Sequence, residues 1–142
     1  MSDTHSPLVR SYNMSRIHSY NTKPEETVRK YLFSKGFRFR KNDNRYPGKP
    51  DIVLPKYRTI IFVHGCFWHC HTGCPDFVQP KSNCNYWQKK LERNRIRDQE
   101  NITKLRNNCW RIFIIWECEL KKSVRYERLE RLCAEIINNV EE

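Results

Sequence analysis

The sequence lacks any apolar run approaching the ~20 residues that a membrane-spanning helix requires. Its N-terminus also lacks the apolar core of a signal peptide, so a cytoplasmic location is expected. No internal repeat or low-complexity tract is present, and a repeat architecture is therefore not expected. Hydrophobic residues make up only 38% of the 142 residues. This length and composition predict one domain with a small core inside a strongly solvated shell.

Acidic residues are scarce relative to basic ones. The chain has 27 Lys and Arg against 16 Asp and Glu, which gives a formal net charge of +11. On so small a domain the excess must form large positive surfaces, whose usual partner is a polyanion. An aromatic content of 13% adds rings that can stack on bases. Nucleic acid is the expected partner; an anionic membrane surface is the alternative, although no basic amphipathic membrane helix stands out.

Hydrophobic periodicity divides the chain into an arm and one folded domain. Residues 1–21 are polar and basic without a period, which predicts a flexible arm, and residues 22–142 form the predicted domain. Thr22 is a candidate helix N-cap and Gly36 a helix stop. The predicted elements are that helix, a strand over 37–40, a hairpin of strands over 51–54 and 60–64, a helix over 86–107, a central strand over 110–116 and a last helix. This order predicts an α/β fold with three layers (α/β/α) and a mixed central sheet.

The apolar residues of the two later helices predict their core contacts. Those of the long helix are Trp87, Leu91, Ile102 and Leu105. Those of the last helix lie on one face and comprise Leu129, Leu132, Cys133, Ile136, Ile137 and Val140.

The segment from His64 to Cys74 holds three His and three Cys in eleven positions. An odd total of 7 cysteines without an export signal favours metal ligation over disulfides. The spacing makes zinc ligands of Cys66, His71 and Cys74, with a fourth ligand from Cys118 or from the rival Cys70. A closed set of four ligands leaves no open position for water, so this zinc would be structural. The alternative is a set of buried thiols, the role expected for Cys109 and Cys133.

The pair Pro50-Asp51 opens one predicted strand, and His64 ends the next. This is the layout of the PD-(D/E)xK nucleases, in which a carboxylate holds a hard divalent ion beside the scissile phosphate. Phe62 and His64 stand where the acid and the lysine of that motif are expected, so the common motif is broken here. Alone, a Pro-Asp pair is weak support, because most such pairs simply begin strands or turns.

Longer patterns resemble the very short patch repair (Vsr) endonucleases. They are His64-Gly-Cys-Phe-Trp-His69, Trp116-Glu-Cys118, the helix segment from Tyr86 to Asp98, and the N-terminal run from Val9 that continues to Thr22-Lys-Pro-Glu25. Together they cover nearly the whole chain in the family's order. The resemblance implies a restriction-endonuclease-like PD-(D/E)xK fold with a structural zinc site. It also implies a magnesium-dependent enzyme that nicks the thymine strand at T·G mismatches left by deamination of 5-methylcytosine.

The same resemblance assigns roles within the site. Asp51 would hold magnesium together with the main-chain carbonyl of Val63 and waters. His64 and Glu25 would orient the metal-bound waters, and His69 would act on the phosphate as general base or acid. The resemblance also selects Cys66, His71, Cys74 and Cys118 as the zinc ligands and leaves Cys70 as an extra thiol able to replace one of them.

Phe67 and Trp68 lie between potential metal ligands, where a rigid loop is expected to present both rings outward. The resemblance makes Met14, Phe67 and Trp68 an intercalating group. The alternative is a pair of core aromatic rings and a disordered methionine. Lys90 and Asn94 would approach the mismatched pair, and Arg93 and Arg97 the phosphates, although solvated charge on a helix face is the usual explanation for such residues.

Competing functions are a zinc-stabilised DNA-binding module without catalysis and a restriction-type enzyme that cuts both strands. The expected enzyme would work as a monomer in the nucleoid, in partnership with a cytosine-5 DNA methyltransferase and with mismatch-repair proteins. The sequence does not define the bases that flank the preferred mismatch.

Overall fold

The computed structural model describes residues 22–69, 71, 73–75 and 82–138. The predicted arm, including Met14, lies outside these residues, as do Cys70 and Val140. The division into an arm and a domain therefore stays a prediction. Within the described parts, no helix combines the length and apolar character needed to cross a membrane. The elements are the helices α1 (Lys23–Ser34), α2 (Cys84–Asn107) and α3 (Arg125–Asn138), and the strands β1 (Arg40–Lys41), β2 (Ile52–Leu54), β3 (Thr59–His64) and β4 (Arg111–Trp116).

The four strands form one sheet in the order β1-β2-β3-β4. Strands β1, β2 and β3 pair antiparallel, and β4 pairs parallel to β3 with Trp116 opposite His64. The predicted mixed sheet and hairpin are thus confirmed. The prediction that 110–116 is a central strand is wrong within the described residues, where β4 pairs with β3 alone and lies at the edge. Strand order depends on contacts distant in sequence, so the strongly apolar run identified a strand but not its position.

The predicted strand over 37–40 is present only at its end, since Arg40 and Lys41 are the residues that pair with β2. Phe37 instead turns into the core, where it is buried. Its burial explains the apolar signal that favoured a strand here.

Helices cover both faces of the sheet, which confirms the predicted three layers. Alternate strand residues point to opposite faces, so β2, β3 and β4 each contribute side chains to two cores. One core contains Ile52, Leu54 and Ile61 of the sheet with residues of α1 and α3. The other contains Val53, Ile60 and Phe62 with Ile102 and Leu105 of α2.

Helix α1 begins and ends where the sequence predicts. The Thr22 side chain accepts a hydrogen bond from the Glu25 amide, at 3.5 Å, and Gly36 follows the helix with φ +94°. This N-cap fixes Glu25 in the first turn, where it is 6% exposed. Ile137 of α3 departs from prediction, because it is 52% exposed. It lies roughly 80° around the helix from Leu129, at the rim of the apolar stripe.

The loop over residues 42–50 positions Asp51 at the start of β2. The amides of Asn42 and Asp43 donate to the carbonyls of Asp51 and Pro50, at 3.1 and 3.2 Å. Gly48 has φ +82°, and a Cβ there would come within 3.2 Å of both Asn101 and Phe62. The loop therefore packs directly on α2 and β3 through a residue that has no side chain.

Replacing Gly48 should destabilise the protein more than replacing Gly36. Gly36→Ala should lower the free energy of unfolding by about 1–2 kcal/mol, because a Cβ disfavours the left-handed conformation. Gly48→Ala adds overpacking and should lower it by about 2–4 kcal/mol. Gly36 is a matched control because its Cβ would meet nothing within 4 Å. Urea unfolding measures both changes. Equal losses of unfolding free energy in the two variants would show that the loop around Gly48 can shift to accommodate a Cβ.

Candidate active site and metal centre

A cavity of about 540 Å³ opens where four parts of the chain converge. They are the first turn of α1, the loop before β2, the end of β3 with the residues after it, and the middle of α2. The catalytic residues predicted from the sequence, Glu25, Asp51, His64 and His69, all line this cavity together with Val63. The structure thus brings together residues from three separate segments of the chain.

Two carboxyl groups meet at the base of the cavity. The Asp51 carboxylate accepts a hydrogen bond from the Val63 amide, at 2.6 Å, and hydrogen-bonds the carboxyl of Glu25. Burial, followed by the negative charge of Glu25, raises the pKa of Asp51 to about 8. A buried pair of this kind favours a bound cation, which would replace the shared proton. The oxygen donors match the preference of hard divalent ions.

Arg29 lies behind this carboxyl pair. Its guanidinium donates to Oε1 of Glu25, at 3.3 Å, and it is 7% exposed. The positive charge of Arg29 also lowers the pKa of Asp51, against the larger effect of burial. The buried arginine therefore offsets part of the repulsion between the two carboxyl groups.

The two predicted catalytic histidines form a stack. The rings of His64 and His69 are parallel within 7°, with centroids 3.7 Å apart, and Nδ1 of His69 pairs with the Asp98 carboxylate. Burial lowers the pKa of His64 to about 3, with a further contribution from His69. His64 is therefore neutral at physiological pH, and its Nδ1 has no hydrogen-bond partner among the described residues.

Ligand atoms of His64, His69 and Asp98 also lie within 4.8 Å of one another. Imidazole lone pairs, however, lie in the ring plane, so the lone pairs of two parallel stacked rings do not converge on one ion. The arrangement suits proton exchange better than joint metal coordination.

The predicted zinc ligands are also brought together. The ligand atoms of Cys66, His71, Cys74 and Cys118 all lie within 4.8 Å of one another. Cys118 comes from the 3-10 turn Glu117–Leu120 after β4, and its sulfur is 3.5 Å from Nδ1 of His71. Burial raises the pKa of the Cys66 thiol to about 12. A bound cation would reverse that shift, and three sulfurs with one imidazole match the ligand preference of zinc.

Trp116 lies between the cavity and the Cys/His cluster. Its ring stacks on His71, with centroids 4.0 Å apart and planes within 3°. The same ring meets His64 edge-on, at 5.2 Å. Glu117, the next residue, accepts a hydrogen bond from the Cys66 amide, at 3.4 Å. The end of β4 therefore contacts both sites.

The predicted wedge residues belong to a three-ring cluster. Phe67, Trp68 and Trp87 have centroid separations of 5.0 to 5.8 Å. The prediction that both rings point outward is wrong for Trp68, which is 9% exposed, because it packs against the other two rings. Phe67 is half-buried. Trp87, assigned to the core from the sequence, joins this cluster next to the exposed Tyr86.

The predicted DNA-contacting residues of α2 lie outside the cavity lining. Arg93 and Arg97 are exposed, and Lys90 and Asn94 are half-buried. The Arg97 guanidinium donates to the side-chain oxygen of Asn94, at 3.1 Å. Their contacts with DNA stay predictions.

Asp98 is a cavity residue to which the sequence assigned no role. It lies seven residues after Leu91 and four before Ile102, both buried. An acidic residue that interrupts the apolar stripe of a long helix is the signal that could have identified it.

Comparison with known proteins places this site in a family. The model of the DNA mismatch endonuclease Vsr family matches residues 2–75. The type II nicking enzyme V.NmeAIP of Neisseria meningitidis is 51% identical over 137 residues, which cover 96% of this chain and 97% of that protein. The chain belongs to the Vsr family. The resemblance drawn from its motifs is thereby confirmed.

Other members of the Vsr family match over similar lengths. The type II nicking enzyme V.XorIIP of Xanthomonas oryzae is 48% identical over 120 residues, which cover 84% of this chain and 88% of that protein. The DNA mismatch endonuclease Vsr of Escherichia coli is 38% identical over 142 residues, with 95% and 90% covered. The activity class that these relatives support is that of a DNA endonuclease.

The Cys/His cluster can be tested by removing one ligand. Cys118→Ser should strip most of the bound metal from the purified protein and lower its thermal midpoint, because metal binding contributes directly to folding. The prediction that Cys109 is a buried thiol is wrong, because this cysteine is exposed. Cys109→Ser is therefore a suitable control and should alter neither the metal content nor the thermal midpoint. Metal content by atomic emission and thermal melting are the measurements. A full metal equivalent in Cys118→Ser would exclude that ligand and direct attention to Cys70.

Proposed function

We propose that this protein nicks the thymine-containing strand of duplex DNA at T·G mismatches that arise from 5-methylcytosine deamination, by magnesium-dependent phosphodiester hydrolysis. The proposal rests on one observation. In this Vsr-family chain, one cavity holds the carboxyl pair of Asp51 and Glu25 beside two histidines. Hydrolysis of a phosphodiester requires charge at the phosphate, an oriented water and a proton carrier, and residues suited to each requirement line this cavity.

Magnesium fits the oxygen donors at the base of the cavity. Asp51 and the main-chain carbonyl of Val63 would hold it. These few protein ligands suffice because magnesium keeps most of its waters. Bound there, the ion supplies positive charge at the phosphate. Glu25 and His64, which line the same cavity as Asp51, would orient the water that enters it. His64 does so as a neutral ring, since burial lowers its pKa.

His69 is the proton carrier in this mechanism. The Asp98 carboxylate pairs with Nδ1, which fixes the tautomer and leaves Nε2 to accept or give a proton. The stacked His64 ring restricts the rotation of His69. Asp98 thus positions the imidazole without touching the substrate.

Zinc bound by Cys66, His71, Cys74 and Cys118 would be structural, because four protein ligands close its coordination. Two of these ligands, Cys66 and His71, flank the segment that carries Phe67, Trp68 and His69. The amide of His71 also donates to the carbonyl of Cys66, at 3.0 Å. Zinc would therefore fix the positions of both the wedge residues, Phe67 and Trp68, and the catalytic His69.

Mismatch selectivity follows from an aromatic wedge. Phe67 would enter the base step, supported from behind by Trp68 and Trp87, with Met14 of the arm completing the group. A T·G wobble lowers the energy needed to unstack that step, which favours the mismatch over paired DNA. Lys90 and Asn94 would contact the mismatched pair, and Arg93 and Arg97 the neighbouring phosphates.

A substrate produced from 5-methylcytosine links the enzyme functionally to a cytosine-5 DNA methyltransferase. The enzyme would act in the nucleoid and would pass its nicked product to mismatch-repair proteins. One nick requires one active site, so a monomer is sufficient.

The deciding experiment removes the Asp51 charge. Asp51→Asn should keep DNA binding but slow nicking at least roughly a thousand-fold, because it removes several kcal/mol of cation-dependent transition-state stabilisation. Glu127→Gln, an equal charge change on the exposed face of α3, is the control. The assay uses a T·G duplex with each strand labelled in turn, with and without magnesium.

Each alternative gives a distinct result in that assay. No nick by the wild-type protein in any flanking sequence would favour a binding module. Cleavage of both strands of fully paired DNA would favour a restriction enzyme. Full activity of Asp51→Asn would remove Asp51 from the chemistry.

The wedge can be tested separately. Phe67→Ala should weaken binding to the T·G duplex by about 1–3 kcal/mol, the value of one stacked aromatic ring, and should change binding to the paired duplex little. Phe33→Ala, which removes an exposed ring from α1, is the matched control. Competition binding with the two duplexes measures the difference, and equal losses on both would argue against a wedge.

A further inference from the structure

Four carboxyl side chains line the cavity. They are those of Glu25, Asp51, Asp98 and Glu117, and among the described lining residues Lys49 is the single lysine or arginine. A DNA phosphate that enters this cavity approaches carboxyl groups from several sides, and one divalent cation offsets only part of that charge. A protein cation at the wall would therefore act directly on the bound phosphate.

Lys49 is held firmly at that wall. Its amide donates to the carbonyl of Tyr46, at 3.1 Å, and its backbone has φ +49°. Such a conformation costs a non-glycine residue about 1–2 kcal/mol and is often found at functional sites. On one side is Gly48, packed against Asn101 and Phe62. On the other is Pro50, followed by Asp51. The loop therefore fixes the Lys49 backbone two residues from the proposed magnesium ligand.

The other cations near the site are placed differently. Arg29 is buried and bound to Glu25, so it serves the carboxyl pair. Arg93 and Arg97 are exposed on α2 and do not line the cavity. Among the described lysines and arginines, Lys49 alone combines a place in the lining with an exposed side chain, and the long lysine stem can bring its ammonium to a phosphate at the cavity mouth.

We infer that Lys49 is a phosphate-binding residue, whose ammonium contacts a phosphate of the strand to be cut and holds it over the carboxyl pair. The inference deepens the proposed function and rests on it for the identity of the substrate. It adds to the site a protein cation that acts on the substrate rather than on the metal ligands.

The test compares Lys49→Gln and Lys49→Arg with Lys56→Gln. Lys56 lies in the turn Pro55–Tyr57 at the opposite end of β2, so it controls for loss of one charge. Binding to the T·G duplex is measured without magnesium over a series of salt concentrations. Single-turnover nicking is measured with magnesium at saturating enzyme. Lys49→Asn is included because asparagine adopts the left-handed region readily.

Lys49→Gln and Lys49→Asn should reduce the slope of log K against log salt by about 0.9, the loss of one phosphate contact. They should also slow nicking roughly 10–100-fold, which corresponds to about 1.4–2.7 kcal/mol at 1.36 kcal/mol per tenfold. Lys49→Arg should restore the slope and most of the rate. Lys56→Gln should match the wild type in both measurements.

A wild-type slope in both uncharged variants would overturn the inference, as would an equal loss of slope in Lys56→Gln. The salt series needs neither metal nor hydrolysis. If the wild type fails to nick, the proposed function fails while the phosphate contact can still be read from the slope. If the wild type nicks and the slope does not change, the Lys49 inference alone fails.

Discussion

The contact between the carboxyl groups of Asp51 and Glu25 is the constraint on which the site depends. Two groups that repel one another when ionised meet where α1, β2 and β3 converge, with Glu25 buried and Asp51 half-buried. Three contacts hold the two carboxyl groups in place. They are the Thr22 cap on the first turn of α1, the hydrogen bond from the Val63 amide to Asp51, and the hydrogen bond from the Arg29 guanidinium to Glu25. Folding energy from elsewhere in the domain must offset this repulsion, and a divalent cation would relieve it. The local instability and the affinity for a cation thus have one cause.

This contact also accounts for the broken strand motif. Phe62 lies where a second acid is expected on β3, and there it packs in the core with Ile102 of α2. The second carboxyl group comes instead from α1, far away in the sequence. Because the carboxyl pair is assembled from two segments, an apolar residue can stand at position 62 and anchor the helix that carries Asp98.

Local signals in the sequence predicted much of the fold. Thr22 and Gly36 bounded α1 correctly, and the turn residues after Leu54 marked the hairpin, because caps and turns depend on neighbouring residues alone. Spacing grouped Cys66, His71 and Cys74, while the resemblance to the family was needed to choose Cys118. Features that depend on distant contacts were missed: the edge position of β4, the burial of Trp68 and the pairing of Asp98 with His69. None of these leaves a pattern within a single segment, apart from the misplaced charge on α2.

The position of Trp116 has a consequence for how the protein responds to damage. One face of the indole covers a ligand of the Cys/His cluster, and its edge contacts the histidine stack of the cavity. Oxidation of a single thiol in a zinc-loaded cluster would displace the metal and release His71, and the indole would then lose its support. A shift of the Trp116 ring would directly change its contact with His64, without a large movement of the backbone. A protein built in this way would be sensitive to oxidation at a point outside its predicted catalytic residues.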